Sequence, residues 1–268
     1  MGFVLRLVAI LCLAALADPC GPAKAQTASR LPALAAAVAA ASWSPIAPGI
    51  ERLATAGGAL ELQAYRLAPA AVRMRVVPAL APTGSSASEI SAATHAALVI
   101  NGGFFWITSK NALAPTGLLI ADGKTLAPRK TCKACAGVVY ADSKGVHIGR
   151  EAALKGTRGI EAAVQVGPML VEQGAVITFK PNGPEAARSA VCLDARHNII
   201  VVAALSALTL FELAALLLAP GKDGGFGCTV ALNLDGGPST QLAVDVPGHG
   251  EHLGMPRPVQ NFLAFELR

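Results

Sequence analysis

An aspartate at the end of an apolar stretch is the first position at which this chain could carry chemistry. In LNLDGGPST, residues 232–240, the apolar approach ends at Asp235, and two glycines, a proline and two hydroxyl residues follow. Asp-Gly is common in turns, so the stretch can be read as a turn. It can also be read as a site, because glycine lets a substrate approach the backbone closely and backbone amides bind anions.

Polar residues also stand within or at the ends of three other apolar runs, in the stretches NGGFF, QVGP and ARSA. If these strand ends meet at one rim, they form a pocket with an acid, a guanidinium, amides and hydroxyls. The candidate site residues are Asn101, Gly102, Gln165, Arg188, Ser189, Asp235, Gly236, Gly237 and Ser239. Three of them have a structural alternative: Asn101 can cap a turn, Gln165 can satisfy buried backbone groups, and Arg188 can be an ion-pair partner.

Short strands separated by turns must position these residues. From about residue 59 onward, apolar stretches of strand length alternate with Gly-, Asp- and Pro-rich turns, down to a final strand over 259–267. Helical patterns are fewer and lie near 85–93 and 209–219. The sequence therefore predicts an α+β fold, a single domain with a mixed, mostly antiparallel β-sheet core and a few flanking helices.

The apolar segment 199–219 is long enough to suggest a membrane span, because Glu212 is its one charged residue. Its start, IIVV, is β-branched and favours a strand. Thr209 and Glu212 then have the spacing of a capping box, and Pro220-Gly221 stops the helix. We therefore expect a strand followed by a buried helix, and no membrane span in the mature chain.

The first 25 residues have the features of a secretory signal peptide. A short basic start precedes the apolar run 7–17, and Ala23-Lys24-Ala25 places small residues where a signal peptidase reads them. We predict cleavage after Ala25, a leader segment over 26–57, a folded domain over 58–268, and export to the periplasm or secretion.

Four cysteines remain after this cleavage, and an even number in an exported chain indicates disulfides. The simplest pairing is Cys132–Cys135 with Cys192–Cys228. The Cys-Lys-Ala-Cys spacing is also compatible with a redox motif or zinc, but the strand-like GVVY that follows argues against the helix that a redox motif needs.

Charge and histidine spacing exclude some partners. The net charge is +5, but the basic residues are scattered and form no run, which disfavours nucleic-acid binding. The histidines show no metal-binding spacing, so the metal is unknown and no cofactor is certain. A divalent cation (Ca²⁺ or Mg²⁺) bound by Asp235 and nearby oxygens is left open.

Seven stretches, taken in order, resemble the phosphodiester glycosidase family from about residue 58 to 268. They are NGGFF (101–105), PTGLLIADGK (115–124), QVGPMLV (165–171), ARSAV (187–191), TLFELA (209–214), NLDGGPST (233–240) and RPVQNFLAFEL (257–267). The sequence departs from the family pattern at Pro238, where a small residue is usual.

The resemblance implies hydrolysis of a sugar-1-phosphodiester at its glycosidic bond. In that reaction Arg188 would bind the phosphate and Asp235 would act as acid-base or stabilise charge at the anomeric carbon. Amides near Gly236 and Gly237 would add donors, while Asn101, Gln165 and Ser189 with Ser239 would orient sugar hydroxyls or water. Glu185 is a weaker candidate for a second acid.

Two other functions remain open from the sequence. The same pocket could belong to a non-catalytic module that binds phosphoglycans or cell-wall glycans. Alternatively, Cys132 and Cys135 could belong to a periplasmic thiol oxidoreductase. Replacing both cysteines by serine is expected to lower stability while leaving glycosidase activity in the folded protein.

Overall fold

The structure, a computed structural model, describes residues 23–55, 57–177 and 179–268. The predicted signal peptide therefore lies almost wholly outside the described residues. The helices are α1 Ala23–Ala40, α2 Ala87–Thr94 and α3 Leu210–Leu218. The strands are β1 Ser44–Ala47, β2 Ile50–Ala54, β3 Leu62–Leu67, β4 Val72–Pro78, β5 Leu98–Asn101, β6 Phe105–Ile107, β7 Leu113–Pro115, β8 Leu119–Ala121, β9 Lys124–Ala127, β10 Gly137–Asp142, β11 Gly145–Arg150, β12 Ala162–Val166, β13 Met169–Glu172, β14 Ala175–Val176, β15 Ala186–Asp194, β16 Ile199–Leu208, β17 Cys228–Asn233, β18 Leu242–Val246, β19 His249–Leu253 and β20 Asn261–Leu267.

These strands form three sheets and one separate hairpin. The order is β1-β2-β3-β16-β15-β17-β13-β14 in the first sheet, β11-β10-β12-β8-β9 in the second and β19-β18-β5-β20-β4 in the third, with β6-β7 as the hairpin. All pairs between described strands are antiparallel, so the predicted mixed sheet is corrected to antiparallel sheets. Parallel pairs need long crossovers, whereas β10–β11 and β15–β16 are joined by tight turns.

Both faces of the central strands are buried, which explains why the strands read as continuous apolar runs rather than as alternating patterns. On β15, Val191 and Leu193 contribute to the core cluster that includes residues of all three sheets. Ala190 and Cys192, which alternate with them, belong to a second cluster beneath the helices. Leu213 of α3 lies in this second cluster.

The segment predicted to be a leader, residues 26–57, contributes regular structure to the first sheet. Strand β2 pairs with β3 from Ile50↔Leu67 to Ala54↔Gln63. Leu34 of α1 is buried beneath this sheet. The sequence gives little sign of this arrangement, because an alanine-rich helix forms readily without marking which of its faces is apolar.

The apolar segment 199–219 folds as the sequence predicts. Strand β16 ends at Leu208 and Thr209 caps α3, with the backbone amide of Thr209 donating to Glu212 Oε2 at 2.9 Å. Glu212 N donates in turn to Thr209 Oγ1 at 3.1 Å, which completes the capping box. In the described part of the chain, no helix is long and apolar enough to cross a membrane.

Both predicted disulfides are present. Cys192 on β15 is joined to Cys228 on the neighbouring strand β17. Cys132 is joined to Cys135 across a single 3-10 turn, and β10 begins two residues later. No redox helix starts at the first cysteine, so the second bridge closes a loop rather than opening a helix.

Candidate functional site

The side chain of Asn101 joins separate segments at one end of the sheets. Asn101 is the last residue of β5 and is fully buried. Its Nδ2 donates to the backbone carbonyl of Asp235 at 2.6 Å, and its Oδ1 accepts from Ser189 Oγ at 2.7 Å. Oδ1 also accepts from the backbone amide of Gln241 at 3.2 Å. The structure thus brings Asn101, Ser189 and Asp235 together. The side chains of Asn101 and Ser189 already form hydrogen bonds within the protein.

The carboxylate of Asp235 lies just beyond β17, partly exposed to solvent. Its Oδ1 accepts from the backbone amide of Gly236 at 2.9 Å, and the hydroxyl of Ser239 hydrogen-bonds to the same carboxylate. Burial raises the pKa of Asp235 above the usual value of 3.8, although the bonds to Ser239 and Gly236 partly oppose the rise. Asp235 is therefore a stronger base than an ordinary aspartate and is still reachable from water.

The two glycines after Asp235 have different roles. A Cβ at Gly236 would lie 2.8 Å from the carbonyl oxygen of Ala187, so only glycine fits against β15 here. Gly237 has φ +58° and borders open space. Because the amide of Gly236 already binds Asp235, Gly237 is the amide of this pair that remains a candidate for binding an anion.

Arg188 lies on the strand next to Asp235. Leu234 N donates to Ser189 O at 2.9 Å, which continues the β15–β17 pairing and places Asp235 beside Arg188. The guanidinium is half-buried and donates through Nε to Leu208 O at 2.8 Å and through Nη2 to Pro184 O at 2.6 Å.

The rest of the Arg188 guanidinium is uncommitted. Within the described residues Arg188 forms no ion pair, so the ion-pair alternative does not apply. Burial lowers the pKa of this guanidinium from its usual value without giving it a carboxylate partner. Its Nη1 donors are left for an anionic ligand.

The NGG turn after β5 is held by a residue that the sequence reasoning did not select. Gly102 N donates to the carbonyl of Asn261 at 2.8 Å, and Gly103 N donates to Asn261 Oδ1 at 2.7 Å. A Cβ at Gly102 would lie 2.1 Å from Asn261 Oδ1. Gly102 is therefore needed for packing, and its carbonyl accepts from Asp235 N at 2.9 Å. The sign that could have revealed Asn261 is its position as the buried polar residue that opens the apolar run NFLAF.

Gln165 is not part of this cluster. Its Oε1 accepts from the backbone amides of Leu118 at 2.9 Å and Lys130 at 3.0 Å. Its Nε2 donates to the carbonyls of Lys130 and Cys135. All four hydrogen-bonding positions of this amide are thus used by backbone groups, two of them in buried bonds, which is the structural alternative that the sequence left open.

Two buried oxygens next to the cluster have no partner among the described residues. They are Asn233 Oδ1 on β17 and Thr240 Oγ1 just after the glycines. A buried acceptor or hydroxyl without a hydrogen bond is costly, so each is open to water or to a ligand. Glu185, the weaker candidate acid, is instead ion-paired with Arg30 at 2.8 Å.

A large cleft lies away from this cluster. It is a cleft of about 980 Å³ bordered by the β10–β11 turn, the start of β16 and Arg268. Leu193 and Ile199, which line it, flank the β15–β16 turn, at the opposite end of β15 from Arg188. This cleft is therefore separate from the cluster around Asn101 and Asp235.

No group of three or more His, Cys, Asp or Glu residues within the described residues could hold a metal. A divalent cation at Asp235 would therefore need backbone and hydroxyl oxygens as its remaining ligands.

One protein family matches a region of the chain that contains the cluster. A family model described as phosphodiester glycosidase matches residues 94–266, which contain Asn101, Arg188, Asp235 and Asn261. A comparison with curated proteins finds no match.

Three solved structures share the fold. The catalytic domain of zebrafish N-acetylglucosamine-1-phosphodiester alpha-N-acetylglucosaminidase, described as auto-inhibited by its pro-peptide, has a TM-score of 0.60 and 16% identity, with 85% of this chain and 82% of that one covered. A hypothetical protein from Synechocystis has a TM-score of 0.56 and 18% identity over 85% of this chain, which spans 64% of that protein's length. A putative exported protein from Burkholderia pseudomallei has a TM-score of 0.54 and 14% identity, with 77% and 74% covered. At these identities the likeness concerns the fold.

Proposed function

Because the chain belongs to the phosphodiester glycosidase family, we propose that it hydrolyses a sugar-1-phosphodiester at the glycosidic bond. The main support is the position of Asp235, which has a raised pKa, is partly exposed and follows the strand that pairs with the strand of Arg188. In this reaction water attacks the anomeric carbon, the bond from that carbon to the phosphate oxygen breaks, and a phosphate monoester leaves.

Asp235 acts on the sugar side of the bond. Its raised pKa makes it the better general base for the attacking water, and as a carboxylate it stabilises the positive charge that develops at the anomeric carbon. A single carboxylate is sufficient for this step, because a phosphate monoester departs without strong acid assistance. The hydroxyl of Ser239 stabilises the ionised form of this carboxylate and so limits the rise of its pKa.

Arg188 acts on the phosphate side. Its Nε and Nη2 are anchored to backbone carbonyls, so the guanidinium is oriented before substrate arrives, and Nη1 is left to bind a phosphate oxygen. The amide of Gly237 is the second donor that we assign to the phosphate. Asn101 and Ser189 are positioning residues, because the hydrogen bonds of their side chains hold the strand ends together.

Replacing Asp235 with asparagine tests this function directly. Asp235→Asn keeps the size of the side chain and an acceptor for Gly236, but it removes the base and the charge. We expect kcat for an aryl or sugar-1-phosphodiester to fall by about 10³-fold or more, while the Kd for the substrate changes little. Asp245→Asn, at an exposed position on β18, is the matched control and should retain full activity.

The same pair of measurements separates hydrolysis from binding alone. If wild-type protein binds these phosphodiesters with a measurable Kd and no sugar is released by either protein, the chain is a glycan-binding module and the proposed hydrolysis is wrong.

We also propose that the protein acts outside the cytoplasm. Its two disulfides and its structural similarity to a putative exported protein support export, as does the signal peptide that the sequence predicts. Amino-terminal sequencing of the exported protein would test cleavage after Ala25, and a chain that retains residues 1–25 would contradict it.

A further inference from the structure

Large exposed apolar side chains are concentrated at the rim that carries the candidate site. Within the described residues six large hydrophobic side chains are exposed. Four of them lie in three loops, 79–85, 104–116 and 254–260, which we call the apolar rim: Leu80 (60% exposed), Trp106 (51%), Ile107 (64%) and Met255 (71%). Scattered exposed hydrophobics are ordinary, whereas a group of four at one end indicates a binding surface.

The three loops of the apolar rim contact one another. Leu113 N donates to Pro82 O at 2.7 Å, which ties the second loop to the first. Ser85 forms a β-bridge with Val259, which ties the first loop to the third. A Cβ at Gly84 would lie within 3 Å of side-chain atoms of both Leu113 and Pro258, so all three loops meet at this glycine.

The apolar rim adjoins the candidate site. The second loop begins directly after the NGG turn that Asn261 holds. On the third loop, the carbonyl of Arg257 accepts from Gln241 Nε2 at 2.8 Å, and Gln241 N is bonded to Asn101. Through Gln241 and Asn101, the third loop is thus linked to the backbone of Asp235.

The hairpin β6–β7 exposes apolar side chains on both of its faces. Trp106 and Ile107 are consecutive strand residues, so their side chains point to opposite faces, and both are more than half exposed. In a larger sheet at least one face would be covered by the core, but here only two strands pair. An edge that is apolar on both sides is suited to insertion into an apolar medium rather than to packing on a flat protein surface.

The charges of the apolar rim have one sign. Its three loops contain Lys110 and Arg257, both exposed, and no aspartate or glutamate. Neither cation forms an ion pair with any of the described residues. Tryptophan and aliphatic residues flanked by unpaired cations are typical of segments that bind the interface of an anionic bilayer. A sugar polymer would use the tryptophan face but would gain nothing from Ile107, Leu80 or Met255.

From these observations we infer that the apolar rim docks on an anionic lipid surface, with Trp106 and Ile107 inserted among the lipids and Lys110 and Arg257 on their phosphates. This docking does not depend on catalysis. If the proposed hydrolysis is also correct, docking turns the candidate site toward phosphodiesters carried by lipids.

Vesicle co-sedimentation of the full chain tests the inference. We expect binding to phosphatidylglycerol vesicles that weakens as salt is raised, and at least about tenfold weaker binding to phosphatidylcholine vesicles. The double variant Trp106→Ser/Ile107→Ser should bind phosphatidylglycerol at least about tenfold less tightly, and Lys110→Gln about fivefold less tightly. The matched control is Leu126→Ser/Leu267→Ser, which removes the two exposed hydrophobics outside the apolar rim and should leave binding unchanged.

Tryptophan fluorescence gives a second measurement that needs no surface variant. In a Trp43→Phe background, Trp106 is the remaining tryptophan, and its emission should shift to the blue on addition of phosphatidylglycerol vesicles. An absence of both binding and shift overturns the inference, as does equal loss of binding in the control variant.

Two specific results would show that the apolar rim binds something other than lipid. If soluble polysaccharides quench Trp106 where vesicles do not, the surface is a glycan platform. If the wild type is a dimer in solution and Trp106→Ser/Ile107→Ser is a monomer, the surface joins two copies of the chain.

Discussion

At the scale of single residues, the raised pKa of Asp235 lowers the stability of the fold and increases the basicity of the carboxylate. Burial raises its pKa, because the ionised carboxylate is less well solvated in the folded protein than in the unfolded chain. Ionisation of Asp235 therefore destabilises the folded state. The same shift makes it a better base. Residues with shifted pKa values tend to lie at functional sites for this reason.

The stability of Asp235→Asn should therefore depend on pH in a defined direction. The pKa of Asp235 in the folded protein lies above the usual 3.8. The destabilisation caused by its ionisation is therefore absent below pH 3.8 and complete once the pH exceeds the folded pKa. We expect the melting temperature of Asp235→Asn to exceed that of the wild type near neutral pH, with the gap closing as the pH falls toward 4. Calorimetry across this range measures it, and a gap that widens on acidification contradicts the assignment.

Gln165 provides the opposite case, a residue nominated for substrate that the structure commits to the backbone. Gln165→Leu leaves backbone groups of Leu118, Lys130 and Cys135 without partners, and the bonds to Leu118 and Cys135 are buried. We expect a loss of about 3 kcal/mol or more in the free energy of unfolding, and an unchanged KM in the protein that still folds. Urea denaturation and steady-state kinetics give the two readouts. An unchanged midpoint together with a raised KM would restore its role in substrate binding.

At the scale of elements, one acid ties β19 of the third sheet to β2 and β3 of the first. Glu251 accepts from Arg52 Nε at 2.6 Å and Nη2 at 2.5 Å, from Gln63 Nε2 at 2.6 Å and from the hydroxyl of Tyr65 at 2.8 Å. Burial opposes ionisation, but the bonds from Arg52 and Tyr65 lower the pKa of Glu251 to about 2. The two sheets are thus joined by an ion pair as well as by the apolar core.

Replacing this acid should weaken the fold only where it is ionised. For Glu251→Gln we expect a loss of about 1–3 kcal/mol at neutral pH, because a partly buried Arg52 is left without a carboxylate. The folded pKa is depressed, so the contribution is complete above the usual 4.5 and disappears as the pH falls through about 2. Urea denaturation measures it, with the exposed Glu61→Gln as control. A loss independent of pH would show that packing, rather than charge, is responsible.

Elements whose signals are local could be predicted from the sequence, and those that depend on distant partners could not. The capping box of Thr209 and Glu212 lies within four residues and gave α3 correctly. Strand β2 and hairpin β18–β19 are short and partly exposed. Their apolar residues become buried only when β2 pairs with β3 and β18 pairs with β5, which the sequence alone does not indicate. In the same way, Asn101 and Asp235 could be nominated as strand ends, but the role of Asn261 depends on a turn far from it along the chain.

At the scale of the whole molecule, the two disulfides should differ in effect. Cys192 and Cys228 are 36 residues apart, so removing their bridge should cost about 4 kcal/mol of unfolding free energy in the chain-entropy view. The separation of 3 between Cys132 and Cys135 corresponds to about 1.5 kcal/mol. Denaturation of Cys192→Ala/Cys228→Ala and of Cys132→Ser/Cys135→Ser measures the two losses.

Both cysteine variants should keep phosphodiester hydrolysis at temperatures where they remain folded, because neither bridge touches Asp235. A loss of hydrolysis in folded Cys132→Ser/Cys135→Ser would contradict a purely structural role for this bridge.

The bonds of Asn101 reach across up to half of the chain, to Ser189 at a separation of 88 residues and to Asp235 at 134. Contacts of such long range form only when the intervening strands have found their registers. A fragment that lacks β5 or the segment from Ser189 to Asp235 cannot then retain the geometry of the candidate site, nor can a short peptide reproduce it. Recovery of turnover during refolding would serve as a reporter of the last sheet to assemble, even when spectroscopic signals of secondary structure have already returned.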